Sequence, residues 1–256
     1  MLVFTSIVMI SCQEPIERTL PPAQGSEVSQ ASQAVDSTSK ESDIPVYPRL
    51  DNSNCEAFLL EWVKEHPANT VIIHTDFGDM EFELFENTPV HRANFLYLIH
   101  RNYFNPTEIL RVIKGFVVQG GNSEEDEPQT KRFLIGDYSL PAEMNNDNLH
   151  LKGALAMSRS YENNPQKRSS AYDFYVVHGS VPGPVEIHEA QQKRKYSQQQ
   201  LDLYKSKGGA IHLDTEHTVF GKMRKGFEVL DKIAQVEVDG NDWPKNRISV
   251  SMELKK

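Results

Sequence analysis

The sequence predicts a mainly β fold, either a closed barrel or a sandwich, within a chain of 256 residues. Short apolar runs rich in Val, Ile and Phe recur between residues 70 and 254, and turn-forming residues separate them, which is typical of strands and turns. Few segments of this region have the apolar stripe of a helix. Because strands outnumber helices and do not alternate with them, a parallel βαβ fold is disfavoured.

The first elements are a short helix, a hairpin and a second helix. The short helix is predicted at residues 54–66 and the hairpin at residues 70–85, with its turn near Asp76–Asp79. The next helix begins at Pro89, a residue type favoured in the first helical turn. Further strands are expected in residues 110–122, which supply one or two, and in residues 154–158, 173–179, 218–223 and 247–254, with a second core helix in residues 226–235.

Two charged segments interrupt this pattern of strands. The acidic run Glu124–Glu127 is interpreted as a solvated loop. Residues 180–211 contain a charged, Gln-rich helical pattern that ends near a pair of glycines. We interpret this second segment as a helical insertion on the surface of the domain.

The overall composition limits both the partners and the size of the core. The net charge is −9 and the pI about 5.5, so the basic surface that binds nucleic acid is missing and no nucleic-acid partner is expected. Hydrophobic residues make up 38% of the chain, which fills one domain of roughly 200 residues but is thin for the whole length. Part of the chain therefore lies outside the core.

The N-terminal segment indicates which part that is. Residues 1–12 read MLVFTSIVMISC, an uncharged apolar run that ends in a small residue and a cysteine. The run resembles the signal of a bacterial lipoprotein, which implies cleavage before Cys12, a lipid on its thiol and attachment to a membrane. The run lacks Lys and Arg, and Met9 stands where Leu is usual, so a frayed apolar terminus with an incidental cysteine is the alternative.

Composition then divides the chain into four parts. Residues 1–12 form the signal segment, residues 13–50 a disordered linker rich in Ser, Gln, Pro and Glu, residues 51–68 a helical extension and residues 69–256 the folded domain. Because Gln13 rather than Asp follows the cysteine, the expected location is the bacterial cell envelope, on the outer membrane and facing the periplasm. A monomer is expected.

Residues 111–121 read RVIKGFVVQGG, a strand-like run with one arginine, one glutamine and two closing glycines. This run resembles the most diagnostic motif of the cyclophilin-type peptidyl-prolyl isomerases, F-H-R-V-I-x-G-F-x-x-Q-G-G. Other segments resemble family motifs in the same order, and the resemblance extends over residues 69–254 apart from the insertion. These segments are residues 78–98, 152–160, 171–179 and 213–223.

The resemblance implies a fold and an activity. The fold would be a closed eight-stranded antiparallel β-barrel capped by two α-helices. The activity would be cis/trans isomerisation of Xaa-Pro bonds in proline-containing segments of unfolded or folding exported proteins. Such a bond faces a barrier of about 20 kcal/mol because rotation breaks amide conjugation. A hydrogen-bond donor aimed at the lone pair of the twisted proline nitrogen stabilises the transition state and not the planar ground state. The resemblance assigns this role to Arg111.

The remaining site residues are also assigned by resemblance. An apolar pocket is needed to hold the proline ring while the acyl side rotates, and no cofactor, metal ion or covalent nucleophile is required. Gln119 completes the catalytic pair with Arg111. The substrate-binding residues are expected to be Phe116, Val117, Ser158, Arg159, Asp173, Tyr175, His212, Leu213 and His217.

Several positions depart from the family pattern. Asp173 replaces a glutamine and follows Tyr172 rather than Ser, so a carboxylate that only accepts hydrogen bonds is expected close to Arg111. It would either draw the guanidinium away from the substrate or hold it in place. His212 stands where eukaryotic members have Trp, which implies weak sensitivity to cyclosporin.

Two alternatives remain open. His212, Asp214 and His217 lie close enough in sequence to suggest a metal site, with His178 or His188 as a further ligand. The other alternative is a peptide-binding or chaperone module with the same fold and little turnover, motivated by the departures at Tyr172 and Asp173.

Overall fold

The computed structural model describes residues 47–255, in which eight antiparallel strands close into a barrel in the order β1-β10-β3-β4-β8-β6-β9-β2. The strands are β1 (Thr70–Thr75), β2 (Gly78–Leu84), β3 (Thr107–Ile113), β4 (Val117–Asn122), β5 (Ser139–Leu140), β6 (Ala154–Met157), β7 (Ser169–Ser170), β8 (Phe174–Val177), β9 (Val219–Lys225) and β10 (Ser249–Leu254). The short strands β5 and β7 form a separate two-stranded sheet.

Six α-helices and one 3-10 helix accompany the strands in the described residues. They are α1 (Cys55–Trp62), α2 (Pro89–His100), α3 (Asp126–Ile135), α4 (Pro184–Lys193), α5 (Gln198–Lys207), α6 (Phe227–Ile233) and the 3-10 helix Ile211–Leu213. Helices α2 and α6 pack on the core of the barrel, as the resemblance implies. The mainly β fold and the closed barrel are therefore confirmed.

The barrel strands form where short apolar runs predict them, and the first hairpin has a clear period-two pattern. In the first hairpin, Thr75 pairs with Gly78 across a two-residue turn, so the apolar side chains of both strands point to the same face. The interior is filled by large side chains, and Phe95 of α2 meets Phe174 and Phe220 at ring-centroid distances of 5.9 and 5.2 Å. Interdigitation of this kind fixes the helix on the barrel.

The outer face of one wall carries a second apolar cluster. In β4, Val118 belongs to the interior core, whereas Val117 joins Ala156, Tyr175 and Leu213 in a smaller cluster outside the barrel. Successive residues of a strand point to opposite faces, so this wall is apolar on both sides. An outer apolar cluster is the natural floor for a binding site.

Residues 47–50 belong to the folded domain and not to the linker. Leu50 is fully buried, its amide donates to the carbonyl of Ile135, and Tyr47 packs edge-on against Tyr97. The predicted linker boundary at residue 50 is therefore wrong by at least four residues. Residues 1–12, with Cys12, and the preceding part of the predicted linker lie outside the described residues. Across the described range no helix is long and apolar enough to span a bilayer.

Two helical regions differ in how well the sequence indicates them. Helices α4 and α5 lie within the segment interpreted as an insertion, and Tyr204 and Leu201 of α5 pack with Leu149 and Ile211. Helix α3 is not predicted, because its first residues lie in the acidic run interpreted as a loop. Acidic residues in the first turn favour a helix by interacting with its dipole.

Candidate active site

A cavity of about 350 Å³ opens on the outer face of the barrel beside β4 and β8. Nine of the eleven predicted site residues line it, all except Asp173 and His212, and Tyr161 joins them. Residues from five separate segments of the chain thus converge on one concavity. Such convergence of polar groups on an apolar pocket is typical of a binding site.

A bulge in β3 explains how a charged residue fits in this apolar strand. Ile109 pairs with Gly120 and Arg111 with Gln119, so the register shifts and Leu110 is the extra residue. Ile109 and Val112 both point into the barrel core, although simple alternation would place them on opposite faces. The bulge therefore turns Arg111 outward to the cavity, a use of bulges seen near active sites.

The two glycines after Gln119 allow close backbone packing. A Cβ on Gly120 would lie 2.8 Å from the carbonyl oxygen of Glu108, and a Cβ on Gly121 would lie 2.2 Å from that of Tyr172. Gly121 also has a φ of +108°, which favours glycine. Both glycines are needed for β4 to approach its neighbours, so they support the position of Gln119.

Arg111 is held by one surface carboxylate. Its Nε lies 3.4 Å from Oδ2 of Asp242, and the two side chains are 43% and 42% exposed. The ion pair engages the inner nitrogen of the guanidinium, and Arg111 lines the cavity. Among the described residues the two terminal nitrogens have no ion-pair or hydrogen-bond partner, so they remain available as donors. Gln119 stands directly across from Arg111 in the β3–β4 ladder. A guanidinium with free donors at the mouth of a pocket can bind a carbonyl or a developing lone pair.

The floor of the cavity is apolar. Val117, Tyr175 and Leu213 are at most 7% exposed, and Phe116 packs against them from the side. The hydroxyl of Tyr175 lies 3.1 Å from Nε2 of His150. The ring of Tyr175 therefore faces the cavity while its hydroxyl is buried below the floor.

His217 forms another wall of the cavity. Its Nδ1 lies 3.2 Å from the carbonyl oxygen of Met157. Because a carbonyl oxygen can only accept a hydrogen bond, Nδ1 carries the proton. Nε2 then accepts a hydrogen bond from the hydroxyl of Tyr161 at 2.8 Å. Burial lowers the pKa of His217 to about 4. The imidazole is therefore neutral at pH 7.

Tyr161 and Arg159 complete this wall. The guanidinium of Arg159 lies 4.0 Å from the centroid of the Tyr161 ring and donates to the carboxylate of Glu216 at 2.7 Å. Arg159 is thus a fixed support for Tyr161 and is only 4% exposed. Sequence reasoning missed Tyr161, since its loop carries no family motif. An aromatic two residues after Arg159 was the only available signal.

Asp173 does not face Arg111, and this expectation is wrong. Its carboxylate accepts the hydroxyl of Ser170 at 2.7 Å and pairs with Arg132 at 3.4 Å. Arg132 lies on α3, which the sequence analysis did not predict, and it stacks on Tyr172. The carboxylate that does face Arg111 is Asp242, from the loop before β10.

His212 lies beside the cavity without lining it. Its exposed ring packs on Phe116 with a centroid distance of 5.2 Å. Asp214 and His217 are engaged elsewhere, Asp214 by His150 and His217 by Tyr161. The three side chains therefore do not form the metal site considered above, and the described residues hold no group of three His, Cys, Asp or Glu suited to a metal ion.

A larger cavity of about 600 Å³ lies between α5 and β9. Its floor is apolar, but Lys152 pairs with Asp231, and Lys222 and Arg224 both pair with Glu83. Three of the four cations that line it are thus paired with carboxylates, and Lys207 is the fourth. The smaller cavity is the better candidate site because its arginine keeps terminal donors free.

Comparison with known proteins identifies the family of the chain. Residues 70–253 match the family described as Cyclophilin type peptidyl-prolyl cis-trans isomerase/CLD. The chain therefore belongs to the cyclophilin-type peptidyl-prolyl cis-trans isomerases, and the predicted enzyme class is confirmed at the level of the family.

Relatives and solved structures agree with this assignment. The chain is 33% identical over 175 residues to a Staphylococcus aureus protein named as a candidate peptidyl-prolyl cis-trans isomerase, covering 68% of this chain and 85% of that protein. It is 29% identical to a Streptococcus pyogenes protein named as a candidate bifunctional phosphatase/peptidyl-prolyl cis-trans isomerase, covering 80% of this chain but only 40% of that protein. A Cryptosporidium parvum cyclophilin structure superposes with a TM-score of 0.53 at 22% identity, over 74% of this chain and 98% of its own. A second structure of that protein was determined in the presence of the dipeptide Ala-Pro and has a TM-score of 0.52, covering 73% of this chain and 99% of its own.

Proposed function

We propose that this protein accelerates cis/trans isomerisation of Xaa-Pro bonds, with Arg111 as the catalytic residue. The observation that carries the proposal is the outward Arg111 at the mouth of an apolar cavity, whose one ion pair within residues 47–255 is made through its Nε. Both parts are needed, because a cation without a pocket would not select proline and a pocket without a donor would not stabilise the twisted bond.

In this mechanism the cavity floor holds the proline ring. Val117, Leu213 and the ring of Tyr175 provide apolar contacts on the floor, with Phe116 at the side. The acyl side stays free to rotate, and the terminal nitrogens of Arg111 donate to the nitrogen lone pair that appears as conjugation is lost. One charge-assisted hydrogen bond contributes roughly 1.5–3 kcal/mol, or about ten- to a hundredfold in rate. The pocket and the exclusion of water supply the rest.

Gln119 and His217 act as neutral neighbours in this proposal. Gln119 faces Arg111 across the ladder, where its amide can bond the substrate backbone. The low pKa of His217 keeps its imidazole uncharged at neutral pH, so this side chain does not repel Arg111. Asp173 has no part in the reaction.

The proposed substrates are proline-containing segments of exported proteins, with the enzyme acting as a monomer on the periplasmic side of a bacterial envelope. The lipoprotein-like residues 1–12 and the linker-like composition after them support this location. Incorporation of labelled palmitate that is lost in Cys12→Ser would support the anchor. An unmodified wild-type protein would overturn it.

The proposal is tested by isomerisation of a short Ala-Pro peptide with the wild type and Arg111→Ala. We expect the wild type to accelerate the reaction and Arg111→Ala to lose about ten- to a hundredfold in kcat/KM. Arg224→Ala is the matched control, since Arg224 is a half-exposed arginine paired with a carboxylate outside this cavity. Equal rates for wild type and Arg111→Ala would favour the peptide-binding module with little turnover.

A further inference from the structure

The ring of Tyr175 forms part of the pocket floor, and its hydroxyl begins a buried chain of hydrogen bonds. The hydroxyl lies 3.1 Å from Nε2 of His150, which is only 1% exposed. Nδ1 of His150 lies 2.8 Å from Oδ1 of Asp214. A carboxylate only accepts, so Nδ1 carries the proton and Nε2 accepts from Tyr175.

The other oxygen of Asp214 is bound by the helical insertion. The hydroxyl of Tyr204, on α5, donates to Oδ2 at 2.8 Å, and that of Tyr196, just before α5, donates at 2.9 Å. Arg194 adds a positive charge 3.6 Å from the same oxygen. Burial alone would raise the pKa of Asp214, but the hydrogen bonds from His150 and Tyr204 outweigh it and hold the pKa below its usual value. Asp214 is therefore a charged, fully bonded link between the insertion and the pocket.

This chain of contacts gives the insertion a role in the reaction. We propose that the insertion, through α5, positions the proline pocket by way of Tyr204, Asp214, His150 and Tyr175, with Tyr204, Asp214 and His150 as positioning residues. The inference rests on the proposed function. Each hydrogen bond fixes the orientation of the next group. The orientation of the Tyr175 ring therefore depends on Tyr204, which lies in the insertion and is fully buried.

The position of Tyr175 explains why such support is useful. A phenylalanine ring there would be held by packing alone, whereas the hydroxyl fixes the ring by a directional bond. Loss of one such bond costs roughly 1 kcal/mol, so weaker positioning is expected to reduce the grip on proline about fivefold. Arg111 does not take part in this series of hydrogen bonds, so its donor geometry is unaffected and kcat should change less than KM.

A double-mutant cycle tests the proposal with Tyr204→Phe and Tyr175→Phe. We expect Tyr204→Phe to raise KM for the Ala-Pro peptide about fivefold, and to have little further effect in the Tyr175→Phe background, because the last bond is then already absent. Tyr138→Phe is the matched control. It removes a buried hydroxyl that donates to Asn94 at 2.8 Å and takes no part in the hydrogen bonds from Tyr204 to Tyr175. Additive effects of Tyr204→Phe and Tyr175→Phe, or an equal rise in KM with Tyr138→Phe, would overturn the proposal.

A second measurement does not depend on activity. The imidazole ¹⁵N signals of His150 report which nitrogen carries the proton, and we expect Tyr204→Phe, or Tyr196→Phe if the former does not fold, to shift them together with the ring signals of Tyr175. Unchanged signals in a folded variant would overturn the inference. If the substitution shifts these signals but the wild-type protein has no isomerase activity, the proposed function is refuted and the positioning inference is not.

Discussion

Arg111 at the mouth of the candidate pocket and Tyr175 on its floor, the two sides compared below, are held in opposite ways. On one side, Arg111 meets a single carboxylate, that of Asp242, and both groups are about two-fifths exposed. On the other side, Tyr175 is fixed by His150 and Asp214, which are 1% and 5% exposed. The first side is a weak surface ion pair and the second is a satisfied buried network.

The difference matches what each side has to do. In the proposed mechanism the arginine must follow a nitrogen that moves from planar to pyramidal, so a light constraint on its inner nitrogen leaves its terminal donors free to adjust. The pocket must hold one ring still while the rest of the bond rotates, and rigid support lowers the entropic cost of that. Three predictions test this contrast, from the largest expected effect to the smallest.

The two carboxylates should differ strongly in their effect on stability. Asp214→Ala leaves His150, Tyr196 and Tyr204 without their buried partner, and we expect a loss of about 3–5 kcal/mol in the free energy of unfolding. Asp242→Ala removes a half-exposed pair and should cost less than about 1 kcal/mol. Denaturant unfolding measures both. Similar losses for the two variants would remove the contrast between the two sides.

The buried wall should also be sensitive to acid. The folded pKa of His217 is about 4, whereas an unfolded histidine titrates near 6.5. As the pH falls through this interval the unfolded chain binds the proton and the folded chain resists it, so stability falls by up to ~3 kcal/mol. Above pH 7 this contribution is constant.

The free energy of unfolding at pH 7 and at pH 4.5 tests this prediction. We expect His217→Gln to lose less stability on acidification than the wild type. His188→Gln, at an exposed position of α4, should behave as the wild type does. The same acid-induced loss in His217→Gln and the wild type would show that the imidazole is not protected by burial.

The smallest effect is expected at Asp173. Because Asp173 pairs with Arg132 and Ser170 rather than with Arg111, Asp173→Gln should leave kcat/KM nearly unchanged. It should cost less than about 1 kcal/mol in stability, since the ion pair is about 30% exposed. The peptide isomerisation assay and denaturant unfolding check both parts. A collapse of kcat/KM would mean that this carboxylate reaches the substrate after all.

The barrel was predictable because the patterns that indicate strands are local. Every predicted strand segment lies in the barrel. Alternation between core and surface indicates β1 and β2, whereas β6 and β8 are buried at every position and are indicated by short continuous apolar runs. The orientation of Arg111 was not predictable from alternation, because the β3 bulge changes the register between Ile109 and Arg111. Only the family resemblance indicated that this arginine faces a pocket.

The missed features depend on contacts between distant parts of the chain. Asp242 pairs with Arg111 from a loop far along the sequence. Arg132 pairs with Asp173 from α3, a helix that was not predicted because it begins within an acidic run. The role of Tyr204 depends on a buried chain that crosses from the insertion to the barrel. No local pattern encodes such pairings, so the sequence could list the pocket residues but not their supports.

The central claim is that Arg111 stabilises the twisted Xaa-Pro bond and not the planar one. The most direct measurement is the exchange rate between cis and trans forms of an Ala-Pro peptide on the enzyme, by NMR, with the peptide Kd measured in the same samples. For Arg111→Ala we predict an exchange rate lower by about ten- to a hundredfold and a nearly unchanged Kd. An unchanged exchange rate, or a loss confined to Kd, would contradict the claim.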